Sequence, residues 1–277
     1  MPVRIHRDLP KDLDVAMEAA QKASDVIQSY RKQKKSLDIQ LKGRHDLVTK
    51  ADLAAEEIII KTIREYFPDD AFLAEETADD TELTDQRTWI IDPIDGTTNF
   101  AHDFPTFCVS IALYENKTPQ VATVLEVSRG EMFVAVKGQG ALLNGRPIHV
   151  SDCDSHDDAL LATGFPYRDL SLVDDYLKLF KRFMAETQSV RRPGSAAYDL
   201  CCVAAGRFDA FYEYGLAPWD VAAGILIIQE AGGKVTDWTG GDDFLFGKRI
   251  LASAPGLYDY MKDAIQNEMA EEHWSQG

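Results

Sequence analysis

Nine residues, Asp92-Pro93-Ile94-Asp95-Gly96-Thr97-Thr98-Asn99-Phe100, constrain this chain more than any other stretch. They follow the apolar run Trp89-Ile90-Ile91, which reads as a buried strand. Two carboxylates three positions apart then sit where that strand turns. Pro93 keeps Asp92 out of the α region and removes one backbone donor. Gly96 permits a sharp turn, so the amides of Gly96, Thr97 and Thr98 face an anion as a helix begins. Carboxylates hold hard cations and such amides hold phosphate, so the stretch carries the parts of a metal-dependent phosphatase. On its own an Asp-rich strand-to-helix turn is more often a set of backbone caps, so the rest of the chain decides.

The chain has 277 residues, 45% of them hydrophobic, enough for one large core or two closely packed halves. It reads as a single unit over 1–277 with a soft subdivision near residue 152. No run of 18 apolar residues suggests a transmembrane helix, and the N-terminus lacks the apolar core of a signal peptide, so a cytoplasmic location and no membrane partner are expected. The 46 acidic against 29 basic residues leave a formal charge of −17, which argues against nucleic acid as a general partner. None of the four cysteines forms a C-x-x-C pair, and Cys108, Cys201 and Cys202 have apolar neighbours, so buried reduced thiols are expected. The histidines show no zinc spacing.

Periodicity predicts an amphipathic helix over 11–31, with Leu13, Met17, Ala20, Ile27 and Tyr30 on or near one face. A basic end at 31–35 and a short strand over Leu37–Leu41 follow, then a mobile-looking loop at 42–45. A second helix is expected over 51–66, with Ile58, Ile59, Ile60 and Ile63 as its core side. Strands are expected at 71–75, 88–92, 106–114, 120–127 and 131–136, and Asn144-Gly145 reads as a turn. Further on, helices fit 171–186, 195–205, 218–231 and 256–268, and strands fit 188–191, 208–213, 234–236 and 249–252. Helices and strands mix without a strict βαβ repeat, so the fold class is α/β or α+β in layers.

Four further segments carry chemistry. Phe72-Leu73-Ala74-Glu75-Glu76-Thr77 delivers paired acids from the end of a short strand. If strands 71–75 and 88–92 are parallel neighbours, Glu75 and Asp92 meet at one sheet edge, where open α/β sheets bind ligands. Pro218-Trp219-Asp220 starts a helix, where an acid is an ordinary cap or a carboxylate offered to a metal. Arg191-Arg192-Pro193-Gly194-Ser195-Ala196-Ala197 offers amides and a hydroxyl at another helix start. Asp46-Leu47-Val48-Thr49-Lys50-Ala51-Asp52 opens the second helix.

Together these segments resemble the inositol monophosphatase family, of the lithium-sensitive, magnesium-dependent sugar-phosphatase superfamily, and bacterial members in particular. The resemblance runs from about Asp46 to Ala254. Trp89–Phe100 looks like the family's first signature and Trp219–Gly233 like its second, while Arg191–Ala197 and Phe211–Gly215 also look like family segments. The resemblance implies an αβαβα sandwich, commonly a homodimer. It further implies that Glu75, Asp92 and the carbonyl of Ile94 hold one Mg²⁺, that Asp92, Asp95 and Asp220 hold a second, and that a weaker third ion sits near Glu75. Thr97 and Asp52 look like the dyad that orients the attacking water, so that Glu75, Asp52, Asp95 and Thr97 are the expected catalytic set. Gly96, Thr97 and Thr98 would contact phosphate. Gly194, Ser195, Ala196, Glu213 and Asp220 would contact the substrate, and Lys42 would reach it from a loop. On this division residues 1–152 form a metal and phosphate half and 153–277 a substrate-pocket half. Ala74 stands where the family often has glycine, and Ser195 where threonine is common. Every key carboxylate is present, so the implied activity is Mg²⁺-dependent hydrolysis of inositol monophosphate or a similar small polyol phosphate, by metal-activated water. Related folds act on fructose 1,6-bisphosphate, histidinol phosphate or 3′-phosphonucleotides. A non-catalytic binding protein on the same fold is the alternative of a different class.

Overall fold

The computed structural model describes residues 10–32, 40–43, 46–48, 50–77, 82–167 and 169–274. Its elements stack in five layers, αβαβα, as the family resemblance implies. The first layer is α1 (Lys11–Lys32) beside α2 (Lys50–Tyr66). A small hairpin, β1 (Gln40–Gly43) and β2 (Asp46–Val48), joins them. The second layer is a seven-stranded sheet of β3 (Ala71–Ala74), β4 (Thr88–Asp95), β5 (Cys108–Glu115), β6 (Thr118–Glu126), β7 (Glu131–Val136), β8 (Gly140–Leu143) and β9 (Arg146–Ile148), paired in chain order. A short helix, α3 (Thr97–Ala101), leaves the end of β4. The fourth layer is a five-stranded sheet of β10 (Leu160–Thr163), β11 (Ser189–Arg191), β12 (Ala210–Tyr214), β13 (Lys234–Thr236) and β14 (Arg249–Ser253), in the order β11-β10-β12-β14-β13. Between the sheets lie α5 (Ala196–Ala204) and α6 (Pro218–Glu230), and outside the second sheet lie α4 (Val173–Glu186) and α7 (Tyr258–Glu268).

The sequence of α6 explains its central place. Every residue from Val221 to Ile228 is buried, and a helix apolar on all sides needs partners on all sides. It packs against β4 to β8 of the first sheet, against β13 of the second and against α5. Each fully buried Val, Leu or Ile there contributes roughly 1.5–3 kcal/mol relative to exposure. Gly224 lets α5 come close, since a Cβ there would lie 2.5 Å from Leu200 Cδ1. In the outer layer, α1 buries Leu13, Ala16, Ala19, Ala20, Ala23 and Ile27, and its four alanines let α2 and the sheet approach closely. The core stripe of α2 is Ala51, Ala55, Ile59 and Ile63, at helical spacing. Ile58 and Ile60, expected on that face, are only half-buried flanks of it.

Where residues are described, the strand expectations are met with shifted ends, and further strand segments depart from the reading. Lys42 and Gly43 belong to β1 rather than to a loop, while Leu37 to Ile39 and Arg44-His45 lie outside the described residues. Residues 46–48 pair with β1 as a strand, and the second helix opens at Lys50, one residue before its expected start. Strands β8, β9 and β10 were not anticipated. Each has at most four residues, which weakens any pattern, although the equally short β3, β11 and β13 were anticipated. Asn144 and Gly145 both take positive φ, 49° and 79°, and close the β8–β9 hairpin as expected. Cys108, Cys201 and Cys202 are free and buried, and Cys153 is free and half-buried. Among the described residues no helix is long and apolar enough to cross a membrane.

Candidate active site

The site forms where β3 and β4 end. They are parallel neighbours, in register from Ala71 opposite Thr88 to Ala74 opposite Ile91, so the next residues, Glu75 and Asp92, emerge side by side. Strand β4 does not turn at Asp92, as its sequence suggests, but continues to Asp95. Asp92 pairs with Ser110 and Asp95 with Cys108, so three steps on β4 match two on β5. That is a β-bulge. In a regular strand residues three apart point to opposite faces; the extra residue removes that half-turn and lets both acids serve one site. Pro93 fits this strand because a bulge leaves a residue out of the ladder.

One carboxylate oxygen from each of Asp92, Asp95 and Asp220 lies within 4.8 Å of the others. Asp220 comes from the first turn of α6, in the chain's second half, so the acid cluster is not confined to residues 1–152. Its Oδ2 also accepts the Ala217 amide at 2.7 Å, so cap and cluster member are one residue. Asp95 Oδ2 accepts the Ser195 hydroxyl at 2.6 Å and the Ala197 amide at 2.7 Å. It thus caps α5 from across the sheets, with the positive end of the helix toward its charge. Glu75 lies against Asp92 and raises its carboxyl, while Asp92 Oδ1 is buried without a partner among the described residues.

Charge explains the strain of this arrangement. Burial first, then Glu75, Asp95 and Asp220, push the Asp92 carboxyl well above the usual range. Burial, then Asp220, raise Asp95 from 3.8 to about 7, against the pull of the Ser195 hydroxyl and the Ala197 and Ala196 amides. Buried acids of one sign, all oxygen donors, with one oxygen unpartnered, suit a small hard cation. These residues could hold a metal such as Mg²⁺.

The predicted dyad is in contact. Thr97 Oγ1 lies 3.2 Å from Asp52 Oδ1 and 3.0 Å from the Ile94 carbonyl, and Asp52 is fully buried in the first turn of α2. Gly96, at φ 98°, caps α3, so Thr97 and Thr98 open that helix directly after Asp95. An open cleft of 1790 Å³ leads away from the acids. Of the residues expected to contact substrate, Thr98, Gly194, Ser195, Ala196, Glu213 and Asp220 line it, while Gly96 and Thr97 do not. The Lys42 backbone lies in β1, and its side chain falls outside the described residues.

The two halves meet at glycines. A Cβ on Gly96 would sit 3.0 Å from the Thr106 carbonyl oxygen and 3.2 Å from that of Gly194. Gly96→Ala is therefore expected to cost about 1–3 kcal/mol of stability, from overpacking and from its positive φ. Urea unfolding checks this, and an unchanged midpoint would show that the junction has room.

Three contributors escaped the sequence reading. Asn99 Nδ2 lies 2.7 Å from the Thr106 carbonyl oxygen and 3.0 Å from that of Pro193, and so ties α3 to the Gly194 turn. Its place inside the first signature was the available signal. A Cβ on Gly164 would overlap the Glu213 carboxylate, so any larger residue there displaces that side chain; a glycine at the end of a short run, after Thr163, hinted at such an approach. Asp199, buried in α5, also lines the cleft, and only its spacing of four from Ser195 pointed to it.

Comparison with known proteins agrees with this geometry. The model of the inositol monophosphatase family matches residues 8–275. The Escherichia coli protein named Nus factor SuhB is 41% identical over 260 residues, covering 94% of this chain and 97% of its own. The crystal structure of the extragenic suppressor protein suhB from Bartonella henselae superposes with a TM-score of 0.88 at 38% identity, covering 93% of this chain and 99% of that one. The inositol monophosphatase from Anabaena (Nostoc) sp. PCC 7120 gives a TM-score of 0.83 at 39% identity, covering 95% and 98%. With a family model spanning nearly its whole length and a bulged, two-acid strand end at its centre, this chain belongs to the inositol monophosphatase family.

Proposed function

We propose that the chain is a Mg²⁺-dependent phosphomonoesterase acting on inositol monophosphate or a similar small polyol phosphate. The observation that carries this reading is the cluster of buried Asp92 and Asp95 with half-buried Asp220, which opens onto the cleft through Asp95 and Asp220. Glu75, Asp92 and the Ile94 carbonyl would hold one Mg²⁺, and Asp92, Asp95 and Asp220 a second. Bound there, the ions supply Lewis acidity for the attacking water and the leaving oxygen. The chain's own groups do the rest. Asp52 fixes the Thr97 hydroxyl, and Thr97 orients the water for in-line attack on phosphorus. The amides of Gly96, Thr97 and Thr98 steady the phosphoryl oxygens. Ser195 spends its hydroxyl proton on Asp95 and so fixes a metal ligand as well as lining the cleft. Gly194, Ala196 and Glu213 form the wall for the alcohol, and a homodimer is the expected assembly.

The test is phosphate release from inositol 1-phosphate, fructose 1,6-bisphosphate, histidinol phosphate, 2′-AMP and 3′-phosphoadenosine 5′-phosphate. Release led by inositol 1-phosphate is expected. Another leader would replace the substrate class, and no release from any would sink the reading.

The Nus factor name of relatives about 40% identical favours a second reading, in which the chain has a Nus-factor role beside hydrolysis. The intact acid set supports "beside" rather than "instead". An Asp95→Asn chain that restores growth to cells lacking the protein would show a role that hydrolysis does not explain.

A further inference from the structure

We propose that Asp199 is a second recognition carboxyl of the cleft, acting with Glu213 to take hydroxyl groups of a polyhydroxylated alcohol. The proposal rests on the phosphatase reading and narrows its substrate class.

Asp199 stands one turn into α5, its backbone N–H bonded to the Ser195 carbonyl at 3.0 Å. Helical side chains lean toward the N-terminus, here toward Ser195 and Ala196, which line the cleft. Asp199 lines the same cleft but is only 1% exposed. Its Oδ1 is buried without a hydrogen-bond partner among the described residues. A buried polar atom is normally paired, so an orphan on a cleft wall marks a place where a ligand supplies the partner. Charged groups from other elements also face the acid. Burial, then Glu213 and Asp95, favour its neutral form, while Arg192 opposes them. A neutral carboxyl both donates and accepts, which matches an alcohol hydroxyl. An ammonium group would need ionised acids, and Arg192 already brings positive charge to the same place. Glu213 is held close by, with its carboxylate in the space that a side chain at Gly164 would fill. Two acid groups and one guanidinium on one wall therefore favour a ligand rich in hydroxyls.

The experiment compares kcat and KM for inositol 1-phosphate, 4-nitrophenyl phosphate and histidinol phosphate in wild type, Asp199→Ala and Asp199→Asn, each with Mg²⁺. Asp199→Ala is expected to raise KM for inositol 1-phosphate about tenfold, the loss of one or two hydrogen bonds, with kcat changed less than about threefold. Kinetics on 4-nitrophenyl phosphate, which has no alcohol hydroxyl, stay within about twofold. Asp199→Asn, which keeps a donor and an acceptor, stays within about threefold of wild type on all esters. The melting temperature of Asp199→Ala does not fall, because the buried Oδ1 that it removes has no partner among the described residues. Equal losses on inositol and nitrophenyl esters, no loss on inositol 1-phosphate, or a loss largest on histidinol phosphate would each overturn the proposal. Failure of the phosphatase reading looks different, as wild type would then release no phosphate at all. Calorimetric binding of myo-inositol with Mg²⁺ and orthophosphate still decides in that case. Binding about tenfold weaker in Asp199→Ala supports the role, and equal or undetectable binding refutes it.

Discussion

Asp95→Asn is expected to cut phosphate release by at least about 100-fold while the protein stays folded. Asp95 joins both halves of the site. It lies within the acid cluster, and its Oδ2 accepts Ser195 and Ala197 from α5. An amide has the same shape and keeps an oxygen acceptor, so the link to α5 persists in part. What disappears is a charge that the proposed cation would need. Without metal, the variant's melting temperature at pH 8 should match or exceed that of wild type, because one member of a repelling, buried set has been neutralised. Phosphate release and thermal melting check the two claims together. A variant as active as wild type would remove Asp95 from the ligand set, and an unfolded one would assign it to structure.

The second large effect is metal-linked stability. Cations that bind the folded cluster and not the unfolded chain add about 2.7 kcal/mol at 100 times their Kd. For a chain of this size that raises the melting temperature by about 5 °C or more. The pH dependence has a definite sign. Asp95 is raised from 3.8 to about 7 in the fold, and Asp92 is raised as well. Between about pH 4 and pH 7 the metal-free fold therefore binds more protons than the unfolded chain, and its stability falls as pH rises through that window. Mg²⁺ competes with those protons, so its stabilising increment grows from pH 5 to pH 8. Melting curves with Mg²⁺ and with EDTA at both pH values check this. An increment that is absent, or that shrinks with rising pH, would mean the acids do not hold the ion.

Much of the site was legible because its chemistry is local in sequence. Asp92 to Thr98 and the start of α6 each carry their turn signals and acids within a few residues, and apolar runs place them at strand and helix ends. The parallel pairing of β3 with β4 was only a condition in the sequence, and the structure meets it. Other features depend on residues far apart and leave little local trace. The bulge that aligns Asp92 with Asp95 is visible only against β5. Ser195 reaches Asp95 across one hundred residues, and Asn99 holds the Pro193 carbonyl from a similar distance. Gly164 and Asp199 take their meaning from Glu213, which lies on a different strand. Strands β8 to β10 are short enough for neighbours, rather than propensity, to decide them.

The most direct measurement is the initial rate of phosphate release from inositol 1-phosphate by the wild-type chain, across a Mg²⁺ titration and then with excess EDTA. Release that climbs with Mg²⁺ to a plateau and stops with EDTA is the expected result. Release that persists in EDTA, or none at any Mg²⁺ concentration, would contradict a metal-dependent phosphatase centre built on Asp92, Asp95 and Asp220.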